Sequence, residues 1–235
     1  MPTPLLVGND VVDLGLPQTR HKALDARFVA RVFAPEERAV LSASCTPERA
    51  LWCLWSAKEA AYKVVKKRYP ATLFSHKKFV VTWTTAPTPE PFEGCVTYGQ
   101  VDVAVRWHVN EAYVHCVGVW PPGAAVEAVD AGVRRSDDAQ LARIELSGRE
   151  RRSARLPASQ SARQLAKQLL ARRGLETVEI VRPRAEGRLL APRLWQRGRR
   201  LEGSDVSLSH HGRFVAAAVV TTLPPTALQT RAPSA

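Results

Sequence analysis

The sequence predicts an α+β chain organised in two halves, and three observations carry that prediction. Apolar residues recur at helical spacing between positions 23 and 69. From Lys78 to Trp120 the period changes to two. Beyond residue 140 the chain begins again, with an amphipathic helix and closing strands of its own.

Taken in order, LLVGNDVVDLGL (5–16) reads as a buried strand, because Val11 and Val12 are β-branched and glycines bracket the run. ALDARFVARVF (23–33) is helical in spacing. Pro35 opens a second helix whose first turn holds Glu36 and Glu37, where the macrodipole favours acid. A third helix is expected over 47–69, stopped by Pro70. FVVTWTT, GCVTYGQ, VDVAVRWHV and AYVHCVGVW then read as four strands of an antiparallel meander, closed by Pro121, Pro122 and Gly123. Residues 123–139 are small and polar and are expected to form a linker.

In the second half, LARIELSGRERRSARL is basic and partly helical. A helix over 159–173 places Leu165, Leu169 and Leu170 on one side, with Gly174 as its stop. TVEIVR is a strand, 183–205 is a basic region punctuated by Gly and Pro, and VSLSHHGRFVAAAVVTTL is a hairpin turning at His211 and Gly212. The expected domains are therefore 1–122 and 140–223, followed by a disordered tail over 224–235.

Composition narrows the function. With 45% hydrophobic residues in 235, a sizeable core is expected. No run of 18 apolar residues is present, and the N-terminus has no basic leader, so a cytoplasmic protein away from the membrane is expected. Cys45, Cys53, Cys95 and Cys116 form no CxxC pair and read as reduced thiols. The net charge of +12, from 34 basic and 22 acidic residues, favours an anionic partner without choosing which one.

Three short stretches stand out. Trp55, Glu59 and Lys63 are spaced i, i+4, i+8 and share one helix face. Alone, such a Glu–Lys pair is a surface ion pair worth about 0.3–0.5 kcal/mol. Asp10 and Asp13 end the first strand; three apart, they point to opposite faces, so at most one faces a given site. A carboxylate at the end of an apolar strand is expensive unless paired or bound to a cation. Ser207, Ser209 and His211 alternate with Leu208 and His210, and hydroxyls and imidazole beside a glycine suit phosphate or ribose contacts.

Together and in this order, the stretches resemble the 4′-phosphopantetheinyl transferase superfamily, whose signature is a GxD element, a W-x-x-K-E-A-x-x-K helix and an S-x-S-H strand. Here these read Gly8-Asn9-Asp10, Trp55 to Lys63 with Lys58 and Glu59 inside, and Ser207-Leu208-Ser209-His210. RVFAPEERAVL resembles the family's Phe-x-x-x-Glu segment. Residues 140–220 resemble the usual first lobe of the two-lobed members and residues 5–120 the usual second, so the halves appear in swapped order, as in a circular permutation. The resemblance implies two similar lobes, a pseudo-dimer, each an antiparallel sheet packed by a long helix. Two departures mark the chain: Val12 stands where large members carry a second acid, and GRLLAPRL lacks the proline usual after the basic residue.

The resemblance further implies that the phosphopantetheine arm of coenzyme A moves to a serine of an acidic apo acyl or peptidyl carrier protein, releasing 3′,5′-ADP. Magnesium would be held by Asp10 and Glu59, with Asp13 as a further ligand candidate; Glu59 would be the general base and Lys63 would stabilise the pyrophosphate. Arg163, Arg188, Ser209 and His210 would bind the 3′-phosphate, with Arg151 or Arg152 as further candidates. Lys58 is expected to point away from Glu59. A monomer with pseudo-dimeric lobes is expected, with no nucleic acid or membrane partner. Two rival readings stand beside this one: a basic nucleic-acid-binding module and a catalytically inactive scaffold of the same fold.

Overall fold

A computed structural model describes residues 4–83, 92–123, 129–185 and 187–221; at Arg188 it describes the backbone alone. The first lobe opens with strand β1 (Leu6–Asp13) and helices α1 (Ala26–Val32), α2 (Pro35–Ala43) and α3 (Pro47–Arg68). Strands β2 (Val80–Trp83), β3 (Phe92–Tyr98), β4 (Val101–Val109) and β5 (Tyr113–Trp120) follow. The second lobe runs β6 (Val129–Arg135), α4 (Ala139–Ala142), α5 (Gly148–Ser153), α6 (Pro157–Ala171) and β7 (Val178–Val181). It continues with β8 (Arg184–Ala185), β9 (Arg188–Leu189), β10 (Arg193–Gln196), β11 (Arg199–Arg200), β12 (Ser204–His211) and β13 (Phe214–Thr221).

Helix α3 forms where its termini match the helix dipole. Pro47 and Glu48 lie in its first turn and Lys66, Lys67 and Arg68 in its last. Its apolar face (Leu51, Leu54, Ala57, Ala61, Val65) is buried against Phe79, just before β2, and against Val96, Val103 and Trp107 of an all-antiparallel sheet ordered β1-β5-β4-β3-β2. In the second lobe Leu165, Ala166, Leu169 and Leu170 of α6 pack on Val178, Ile180, Leu194, Val206 and Val215. There the order is β6-β13-β12, with β10 beside β12 and β7 paired to β10. This repeats the first sheet strand for strand, so the fold is α+β with two similar lobes.

The likeness extends to single atoms. In the first lobe Glu37, fully buried in the first turn of α2, accepts from the amides of Ala34 (2.8 Å) and Val81 (2.9 Å) and from Lys58 Nζ (2.7 Å). In the second, Glu150 of α5 accepts from the amides of Ser147 (2.8 Å) and Ile180 (2.8 Å) and from Lys167 Nζ (3.1 Å). Each lobe thus ties a short helix, its long helix and its first meander strand through one buried carboxylate. Breaking such a buried pair typically costs about 3–5 kcal/mol.

One boundary is corrected. The segment expected to be a linker holds β6, whose residues 129–135 pair with β13 from Val220 to Phe214. The basic region over 183–205, whose Gly and Pro punctuation reads as loop, likewise contains the short strands β8 to β11. The expected tail over 224–235 lies outside the described residues. Among the described residues, no helix is long and apolar enough to cross a membrane.

The lobes meet along β1. Val7, Val117 and Val119 pack on Ala218 and Val220, and Val11 packs on Phe214 and Ala216. Strand β1 is the edge of its sheet, so alternate amides face away from β5. Those of Val7, Asn9, Val11 and Asp13 donate to Asp205 Oδ2 (2.8 Å), Ser207 Oγ (2.9 Å), Ser209 Oγ (3.2 Å) and His211 Nδ1 (3.0 Å) of β12. Side chains at every second position of β12 therefore cap the edge that a neighbouring strand's backbone would otherwise cover.

Candidate active site between the two lobes

Gly8 permits the close approach on which the site depends. A Cβ at this position would lie 2.0 Å from the Ala60 carbonyl oxygen, so β1 touches α3 only because no side chain intervenes. With Gly8 facing α3, the period of two turns Asp10 to the same side. Its Oδ1 accepts from Lys63 Nζ (3.0 Å) and Ser209 Oγ (2.9 Å), and Lys63 also donates to the Asn9 carbonyl (2.7 Å). Neither Asp10 Oδ2 nor the Glu59 carboxyl has a hydrogen-bond partner among the described residues. These oxygens face a cleft of about 410 Å³ lined also by Trp52, Trp55, Lys63 and His210.

Electrostatics mark Glu59. Its pKa is pushed up from 4.5 to about 7, first by burial and then by the charge of Asp10, with Lys63 offsetting part of the rise. A carboxyl whose pKa is raised by burial and by a neighbouring carboxylate suits a divalent cation, which would relieve that repulsion. Among the described residues no three His, Cys, Asp or Glu side chains cluster as a metal cage. Two carboxylates on an open cleft fit magnesium instead, since that ion keeps waters and phosphate oxygens in its remaining positions.

A second trough of about 450 Å³ adjoins the cleft and shares Lys63, Leu208 and His210 with it. Its cations are Lys66, Lys67, Arg163, Arg182 and Arg193, and Leu189, Leu190 and Pro192 supply an apolar wall. His210 Nε2 lies 3.2 Å from Ser159 Oγ. Burial, Lys63 and His211 hold the His210 pKa below its ordinary 6.5.

The structure sorts the remaining expected residues. Asp13 does not join the cleft: fully buried, it takes Arg213 on both carboxyl oxygens (2.6 and 2.9 Å) and caps the Gly15 amide. That partner drives its pKa far below the usual carboxylate range. As its spacing from Asp10 dictates, it points the other way. Arg163 reaches the trough but spends its guanidinium on the carbonyls of Ile180 (3.1 Å), Ser159 (2.8 Å) and Ser153 (3.3 Å), bracing its own lobe. Arg152 is exposed on α5 and does not line the trough. The Arg188 side chain lies outside the described residues. Ser209 touches Asp10 and the Val11 amide. Lys58 points away from Glu59, toward Glu37 and the His76 and Phe79 carbonyls.

Four trough cations escaped sequence reasoning. Lys66 and Lys67 follow Lys63 at i+3 and i+4 and were legible as its helical neighbours. Lys67 is a clamp, donating to Val7 O (2.6 Å), Asp205 Oδ2 (2.7 Å) and Val206 O (2.8 Å) across the lobe boundary. Arg182 and Arg193 come together only through the fold of the second lobe.

Fold and site together define a two-lobed protein with an acidic cleft and a cationic trough at its seam. Residues 6–118, the first lobe, match the family model of the 4′-phosphopantetheinyl transferase superfamily. None of the curated proteins compared with the chain matches it. Among solved structures it is similar to holo-[acyl-carrier-protein] synthase from Neisseria meningitidis, at 21% identity over 48% of this chain and 94% of that one, with a TM-score of 0.38. It is also similar to a Chronobacterium ammoniagenes ACPS–CoA complex, at 17% identity over 50% of this chain and 96% of that one, with a TM-score of 0.39.

Proposed function

We propose that this protein transfers the 4′-phosphopantetheine arm of coenzyme A to a serine of an acidic apo acyl or peptidyl carrier protein, acting in the cytoplasm as a monomer. One observation carries the reading: the unpaired oxygens of Asp10 and Glu59 open onto a cleft that continues, past Lys63 and His210, into a cationic trough. A pyrophosphate has its neutralising partners at that junction, and a further phosphate has them in the trough.

Magnesium, held by Asp10 Oδ2 and Glu59, would neutralise the pyrophosphate. The chain's own residues do the rest. Glu59 takes the proton from the incoming serine hydroxyl. The serine oxygen attacks the β-phosphorus, the bond to the bridging oxygen breaks, and 3′,5′-ADP leaves with the electron pair. Lys63, with one ammonium hydrogen beyond its bonds to Asp10 and Asn9, lies within reach of the charge on the leaving phosphate. His210 donates to the 3′-phosphate from the trough.

The rival nucleic-acid reading accounts for the charge but leaves Asp10 Oδ2 and the Glu59 carboxyl, both facing the cleft, without a role. The test is mass spectrometry of apo carrier proteins incubated with the protein, coenzyme A and magnesium. A gain of one phosphopantetheine on the carrier serine is expected. No gain on fatty-acid, polyketide or peptide-synthase carriers would overturn the proposal.

A further inference from the structure

The motif Ser209 sits where a coenzyme contact is expected, yet its hydroxyl is occupied in both directions. It accepts from the Val11 amide (3.2 Å) and donates to Asp10 Oδ1 (2.9 Å), and it is 7% exposed. A serine hydroxyl has one hydrogen to give. That hydrogen points at the carboxylate, so Ser209 has none for a phosphate. Lys63 takes Oδ1 from the other side (3.0 Å), which leaves Oδ2 as the oxygen presented to the cleft.

We infer that Ser209 is a positioning residue: it fixes the rotation of the Asp10 carboxylate so that Oδ2 faces Glu59, and it does not bind the coenzyme phosphate. The inference rests on the proposed transferase reading. Its physical basis is the ladder between β1 and β12. Because the Val11 amide anchors the hydroxyl, the carboxylate of one lobe is oriented by a strand of the other. The ladder is clamped at one end by Lys67 on Asp205 (2.7 Å) and at the other by Arg213 on Asp13 (2.6 Å). A shift of β12 along β1 would therefore turn Asp10. Partners that orient a metal ligand in this way typically contribute about 10–100-fold in metal affinity.

The test uses Ser209→Ala and Ser209→Thr in the full chain, with Ser207→Ala as a neighbouring rung that bonds Asn9 and does not touch Asp10. Calorimetric titration measures coenzyme A and dephospho-coenzyme A binding at several magnesium concentrations. Hydrogen exchange follows the Val11 amide. Ser209→Ala should raise the magnesium needed for half-maximal coenzyme affinity at least 10-fold and leave the preference for coenzyme A over dephospho-coenzyme A unchanged. The Val11 amide should lose protection. Ser209→Thr, which keeps the hydroxyl, should restore both properties, and Ser207→Ala should leave the magnesium requirement within twofold. Loss of the coenzyme A preference with an unchanged magnesium requirement would make Ser209 a phosphate contact and overturn the inference. So would equal magnesium shifts for Ser209→Ala and Ser207→Ala, or no rescue by threonine. If Ser209→Ala does not fold, a normal magnesium requirement in the threonine variant supports the inference and a raised one overturns it. Wild-type protein that binds no coenzyme at any magnesium concentration would instead refute the transferase reading itself.

Discussion

Replacing Glu59 by Gln should move catalysis and stability in opposite directions. Burial and the neighbouring Asp10 push the Glu59 pKa from 4.5 up to about 7. The fold thus holds a proton that the unfolded chain releases. The stabilisation is complete below the unfolded value of 4.5 and is lost as pH rises through about 7. At about 1.4 kcal/mol per pH unit, the full swing is roughly 3 kcal/mol. Water at the cleft mouth screens part of it, leaving about 1–3 kcal/mol. Without magnesium at pH 8, Glu59→Gln should therefore be more stable than the wild type by that amount, and the gap should narrow as pH falls through 7 and close below 4.5. His115, buried and held at a pKa of about 3, acts in the opposite sense, its contribution being lost as pH falls from 6.5. It does so equally in both proteins, so the difference curve reports Glu59. Urea unfolding at half-unit pH steps measures that curve, while carrier modification should fall about 10²–10⁴-fold. A variant no more stable than the wild type at pH 8, or a gap independent of pH, would refute the argument.

Three further outcomes are expected. His210→Ala should weaken coenzyme A about 10-fold more than dephospho-coenzyme A in a direct binding titration, since phosphate contacts of this kind are worth about 1.5–3 kcal/mol. Because the His210 pKa lies below 6.5 in the free protein, the wild-type preference for the 3′-phosphate should grow as pH falls below that value. Equal weakening of both ligands would show that the trough does not receive that phosphate. Gly8→Ala should cost about 3 kcal/mol, because its methyl would collide with the Ala60 carbonyl, and unfolding within a few degrees of wild type would contradict this.

Where the sequence carried strong periodicity, the structure was legible in it. The helix bearing Trp55, Glu59 and Lys63 runs over 47–68 against an expected 47–69, and β12 and β13 turn where His211 and Gly212 place the hairpin. Strand β6 was hidden because it is a half-buried edge strand whose alternation is broken by Gly132. Only its pairing with β13 specifies it. Asp13 shows a local rule that sufficed: three residues from Asp10 on a strand, it had to face away. Arg163 and Ser209 occupy motif positions, but what they touch depends on how two distant segments pack. Pairing of that kind leaves no local signal. The doubled Glu37 and Glu150 brackets lay within reach, since each is an acid in the first turn of a short helix that precedes a long one.

The side-chain ladder has a consequence for how the protein is made. Its bonds from Asn9 to Ser207 and from Val11 to Ser209 join residues 198 positions apart. Contacts of such separation close late, and an emerging chain folds its N-terminal unit first. Until β12 has left the ribosome, the outward amides of Val7, Asn9, Val11 and Asp13 form an open strand edge, which any other extended chain could pair with. The strand that carries Asp10 is therefore the most adhesive surface of the half-made protein and one of the best protected of the finished one.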